Sequence, residues 1–163
     1  METLCVGIGE FKVVKGQAIL ESISLGSCMG IVLYDPVEKI GGLAHTMLPN
    51  SSLSSIKPSN ATPAKFVDKA ITLMIEEMTK MGASKTRLIA KIAGGACMFQ
   101  SAMPDPAMNI GQKNLDATKQ HLAQEKIAII AEDTGKDYGR TLQFNTVTGK
   151  LVVRSAKFGI KEI

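Results

Sequence analysis

Met29-Gly30-Ile31-Val32-Leu33-Tyr34 reads as a buried strand, and Asp35-Pro36 ends it. Residues 40–48 follow as a second strand. On the N-terminal side, residues 3–8 and 11–14 are short apolar stretches split by Gly9-Glu10, and residues 17–24 alternate loosely. Residues 49–61 are rich in Ser, Pro and Asn and predict a long exposed loop, a kind of segment that often carries function. Thr62 suits a helix N-cap and Pro63 the first helical position. Val67, Ala70, Ile71, Met74, Ile75, Met78 and Met81 then recur at three- and four-residue spacing, and Gly82 stops the helix. That methionine-rich stripe reads as core packing. Residues 86–93 predict a strand, 94–109 a segment punctuated by Gly and Pro, and 111–124 a second helix. Strands follow at 127–132, 140–146 and 151–156, the last two joined around Thr148-Gly149 as a hairpin. This order is not the regular alternation of a doubly wound sheet. It predicts an α+β fold, with sheets packed against two helices.

The chain has 163 residues, enough for a single domain with one sizeable core. Apolar residues make up 45% and charged residues 21%, which are globular values. The net charge of +4 is scattered, so no basic patch points to nucleic acid. Two Tyr and five Phe are the only aromatics, too few for a base-stacking platform. No apolar stretch reaches the ~18 residues of a membrane span. Met1-Glu2-Thr3-Leu4-Cys5 does not resemble a secretory signal. A cytoplasmic protein is expected. Its three cysteines cannot build a disulfide framework, so the thiols should be free.

Cys28 sits in Leu25-Gly26-Ser27-Cys28, between two apolar strands. A Gly-Ser turn lets the backbone bend sharply and leaves amide N–H groups free, as an oxyanion requires. A thiol has an appreciable nucleophile fraction near neutral pH, and a neighbouring imidazole raises it. Against this stands the reading of Cys28 as a small buried hydrophobe. His45 lies in an apolar strand, in Gly42-Leu43-Ala44-His45-Thr46-Met47-Leu48-Pro49. It is either a satisfied core histidine or the base that faces Cys28 from the next strand. His121 reads as a surface or boundary residue on the second helix. Cys5 and Cys97 read as structural, with Cys97 a candidate neighbour of the site. There is no Cys-x-x-Cys, no His-x-x-x-His and no P-loop, so neither a metal nor a cofactor is expected.

Several stretches in order resemble CheD, the chemoreceptor glutamine deamidase family of bacteria and archaea. They are Val6–Glu10, Leu25–Cys28 followed by Tyr34-Asp35-Pro36, Gly42–Pro49, Lys91–Ala96, Asn109–Asn114 and Ala131–Gly135. The resemblance implies a Cys–His–Thr catalytic set. Cys28 and His45 carry over directly. The family's threonine falls at Ser22, which keeps the hydroxyl and loses the methyl; Ser24 is the rival for that role. Turn amides around Gly26 and Ser27 would hold the oxyanion. The implied fold is a layered α/β sandwich akin to bacterial deamidating toxins.

The resemblance also implies the chemistry and the partners. Glutamine side chains on chemoreceptor helices would be hydrolysed to glutamate and ammonia through a Cys28 thioester, as part of chemotaxis adaptation. Capture of that thioester by an amine would give transglutamination instead. Chemoreceptor helices are the implied substrate and a CheC-type phosphatase an implied partner. From other classes, a non-enzymatic adaptor that binds receptor or CheC, or a thiol redox sensor, would leave the same motifs as scaffold or sensor.

Overall fold

The computed structural model describes residues 1–51, 62–98 and 109–163. The apolar stretch after Cys28 is strand β4 (Met29–Asp35), and every one of its residues is buried. Burial on both faces is why it reads as a continuous apolar run rather than an alternation. β4 lies at the centre of one five-stranded sheet, in the order β2 (Phe11–Lys15), β5 (Ile40–Thr46), β4, β6 (Ile89–Gly94), β7 (Ala128–Thr134). A second sheet has the order β1 (Thr3–Cys5), β3 (Ile19–Leu25), β8 (Arg140–Asn145), β9 (Leu151–Ser155), β10 (Gly159–Glu162). The β1–β3 and β6–β7 pairs are parallel and the other pairs antiparallel, so both sheets are mixed.

Two helices cover the first sheet: α1 (Val67–Lys80) packs on β5 and β2, and α2 (Ile110–Gln124) on β4, β6 and β7. A parallel neighbour cannot be reached by a tight turn, so α2 lies on the crossover that takes the chain from β6 to β7. Successive residues of β4 serve two cores. Ile31 and Leu33 meet the helices with Ala70, Ile71 and Met74. Val32 and Tyr34 meet Leu20, Leu142 and Phe144 of the second sheet. The layers are therefore sheet, sheet and helices, the α+β sandwich that was expected. No helix among the described residues is long and apolar enough to cross a membrane.

Several boundaries differ from expectation. The first helix begins at Val67 with Phe66 as N-cap, not at Thr62-Pro63. The backbone before it is committed elsewhere. Met47 N–H and Leu48 N–H donate to Lys65 C=O, Val67 N–H donates to Leu48 C=O, and Ala64 N–H donates to Gly9 C=O. A chain tied to the end of β5 cannot begin a helical ladder there. Strand β1 stops at Cys5 and β6 starts at Ile89, with a single 3₁₀ turn at Lys85–Arg87 before it. β10 was not expected at all. Its four residues are exposed, so they carry no inward-facing pattern. Most of the 49–61 loop and of the 94–109 segment lies outside the described residues.

Candidate active site

β3 does not alternate evenly. Ser22 pairs with Leu142 and Leu25 with Arg140, so three steps on β3 match two on β8. The extra residue is a β-bulge, and Ser24 there adopts the left-handed conformation, with φ of 59°. The bulge keeps Ser22 and Leu25 buried while Ser24 is turned out to solvent. Of the two serines it is Ser22 that meets the imidazole: its Oγ lies 2.8 Å from His45 Nδ1, whereas the Ser24 amide donates to Thr141 on β8.

His45 reaches Ser22 because of its position on β5. Leu43 faces the between-sheet core and Ala44 the helices, so His45 faces the second sheet again. It is 1% exposed. Its backbone is held on both sides by the segment between β1 and β2. His45 N–H donates to Glu10 C=O, and Gly9 N–H donates to His45 C=O. Gly30, opposite His45 in the ladder, has no room for a side chain: a Cβ there would collide with Leu142.

The hydrogen bonds determine the imidazole's tautomer. Ser22 Oγ also lies 2.9 Å from the carbonyl of Val6, which can only accept. The single hydroxyl proton goes to Val6, so Ser22 Oγ must accept from His45 Nδ1–H. Nε2 then carries the lone pair. It is buried and has no hydrogen-bond partner among the described residues. Burial pushes the His45 pKa down, against a backbone hydrogen bond at Val6 that pulls it up. The ring is therefore a neutral base at neutral pH.

Cys28 stands one residue ahead of β4 and packs against the same between-sheet cluster. Gly30 pairs with His45 and Met29 with Thr46. Cys28 directly precedes Met29, so it lies at the same end of the β4–β5 pair as His45. No hydrogen bond joins the thiol to Nε2, whose orbital stays unused. Burial pushes the thiol's pKa up. Burial thus favours the neutral thiol and the neutral imidazole, a direction opposite to the expected rise in thiolate fraction. Such a pair can still react if the proton moves to Nε2 as sulfur attacks.

The turn before Cys28 is held by its carbonyls. Gly26 C=O accepts from Ala96 N–H, Ser27 C=O from Asn114 Nδ2, and Cys28 C=O from Gly95 N–H. None of the Gly26, Ser27 and Cys28 amides donates to a backbone carbonyl among the described residues. Gly94, with φ of 110°, lies so close that a Cβ would strike the Cys28 carbonyl. A hollow of about 250 Å³ opens beside Ser27, lined in part by Ala96, Cys97 and Gly111. Cys97 is thus buried next to the turn, while Cys5 is exposed. His121 is half-buried on α2, with Nε2 2.8 Å from Asn50 Oδ1, so it lies at the boundary. Three partners were given no role by the sequence, although Val6–Glu10 and Asn109–Asn114 are among the stretches that carry the resemblance: the Val6 carbonyl, the Gly9–Glu10 backbone and Asn114. Only the last acts through its side chain.

Residues 47–155 match the family described as CheD chemotactic sensory transduction. The chain belongs to the CheD family. It is 49% identical over 160 residues to a probable chemoreceptor glutamine deamidase CheD of Caldanaerobacter subterraneus subsp. tengcongensis, covering 98% of this chain and 97% of that protein. It is 44% identical over 162 residues to the chemoreceptor glutamine deamidase CheD of Thermotoga maritima, covering 97% and 98%. A probable chemoreceptor glutamine deamidase of Geobacter metallireducens is 45% identical over 160 residues, covering 98% of each chain. The CheD relatives thus span essentially the whole chain, including the Cys28 turn and β5.

Proposed function

We propose that this protein is a chemoreceptor glutamine deamidase that works through a Cys28 thioester. The observation that carries the reading is the bonded series from Val6 C=O through Ser22 to His45 Nδ1, which leaves a single unprotonated Nε2 in the layer that Cys28 packs against. Membership of the CheD family and the names of its relatives support the substrate class.

In this reading the glutamine carboxamide carbon meets Cys28 Sγ. His45 Nε2 takes the thiol proton as the S–C bond forms. The carbonyl oxygen becomes an oxyanion that the Ser27 and Cys28 amides stabilise, with Gly26 giving the turn its bend. His45 returns the proton to nitrogen, the C–N bond breaks and ammonia leaves. Water, deprotonated by Nε2, then hydrolyses the thioester to glutamate and frees Cys28. Ser22 holds the ring in the tautomer that both half-reactions need. The product adds a negative charge to a receptor helix, which suits a role in adaptation. A cytoplasmic location follows from that substrate, one domain carries the whole site, and a CheC-type phosphatase is a further partner. The test is mass spectrometry of a chemoreceptor cytoplasmic fragment incubated with the protein. Conversion of glutamine to glutamate at defined positions is expected; an unmodified fragment that still binds would favour an adaptor.

A further inference from the structure

Asn114 is completely buried on α2, and nothing apolar requires an amide there. Its Nδ2 donates to Ser27 C=O and to Met47 C=O, each at 2.9 Å. Both acceptors are carbonyls, so the amide's orientation is not in doubt: only nitrogen can face them. Both Nδ2 protons are used, and Oδ1 is buried without a partner among the described residues. An orphaned buried acceptor is costly, so a residue that served packing alone would be apolar at this position.

The two carbonyls are not arbitrary. Ser27 immediately precedes Cys28, and Met47 lies two residues beyond His45. A trans peptide unit is planar, and its C=O and N–H point in opposite directions. Ser27 C=O and Cys28 N–H belong to one such unit. Gripping the carbonyl from α2 therefore turns the Cys28 N–H away from the helix and holds it there. Ala96 N–H does the same for the preceding unit, which carries Ser27 N–H. The second Nδ2 bond ties this assembly to the end of the strand that carries His45. Without Asn114, the Ser27–Cys28 unit has no described side chain to fix its rotation.

We propose that Asn114 is a positioning residue that aims the Cys28 amide at the oxyanion and sets the nucleophile turn in register with the His45 strand. This rests on the thioester reading above. Its test separates steps that need an oxyanion site from one that does not. Alkylation of Cys28 by iodoacetamide displaces iodide at a saturated carbon and develops no charge on an oxygen. Deamidation of a chemoreceptor cytoplasmic fragment requires the oxyanion.

Asn114→Ala removes both donors, and Asn114→Asp keeps the size with at most one. In both, kcat for deamidation should fall roughly tenfold to a hundredfold, less than the hundred- to thousandfold of a deleted oxyanion donor. KM and the rate of Cys28 alkylation should each stay within about twofold of wild type. A folded variant that deamidates like wild type overturns the proposal. So does one that loses alkylation and deamidation equally, and so does the unfolding of both variants, which would make Asn114 a core residue only. Failure of the wild-type protein to deamidate, with alkylation intact, would instead overturn the thioester reading itself.

Discussion

The β4–β5 pair has a buried polar group at each end, Asp35 beside the turn and His45 at the open end, and the two are treated in opposite ways. Beside the turn the Asp35 carboxylate accepts from the amides of Val37, Glu38 and Ser84 and from two nitrogens of Arg87. Burial raises its pKa, but the Arg87 guanidinium and those amides outweigh it and hold the carboxyl well below the usual range. At the other end, His45 has one side-chain partner and an empty Nε2. One end satisfies every polar atom and secures the turn into β5. The other leaves a basic atom unsatisfied in the layer that Cys28 packs against, an arrangement that contributes little to stability and suits proton transfer. Mutations should therefore separate activity from stability along one pair of strands.

The largest effect should come from Cys28→Ala, which closes the thioester route and drops conversion to background, on the order of 10⁴-fold or more. Receptor-fragment affinity should persist, because one small thiol is a minor part of a contact surface. Titration and mass spectrometry on the same protein check both, and full activity in the mutant would end the hydrolase reading. His45→Asn should cost kcat roughly 10²- to 10⁴-fold. The wild-type kcat/KM profile carries the same information: since the imidazole pKa is lowered, its acid limb should lie below about 6.5. Ser22→Ala, which frees the ring and its tautomer without removing a reacting atom, should lower kcat by roughly 10- to 100-fold.

At the opposite end, Asp35→Asn should leave kcat unchanged and destabilise the fold by about 2 kcal/mol in a denaturant titration. Acid should act on the two ends in different windows. Both groups have lowered pKa values when folded, so the unfolded chain binds the proton first and stability falls with pH. The His45 contribution is complete above about 6.5 and declines below it; that of Asp35 is complete above about 3.9 and is lost only in stronger acid. Denaturation curves of the two mutants across these ranges would show which window disappears. The smallest effect concerns the resting thiol. Iodoacetamide should modify Cys28 no faster than exposed Cys5, because burial keeps the former protonated. A much faster Cys28 would mean that the free protein holds an ion pair.

The chain by itself determined what depends on local pattern. The apolar run after Cys28, the α1 stripe and the Thr148-Gly149 turn each carry their periodicity or turn chemistry within a few residues, so the strands, helices and α+β class were legible. The Cys28–His45 spacing and the motif order were legible too. Tertiary structure alone decided the start of α1, where residues 64–66 are tied to β5 and Gly9 instead of coiling. It brought Ser22 rather than Ser24 to the imidazole, because a bulge adds one residue and reverses which side chain faces inward. Whether a thiol and an imidazole form an ion pair depends on burial and on partners such as the Val6 carbonyl, which lie far along the chain and leave no mark beside Cys28. Asn114 belongs with these, since its two carbonyls are 87 and 67 residues away in sequence and only folding makes them neighbours.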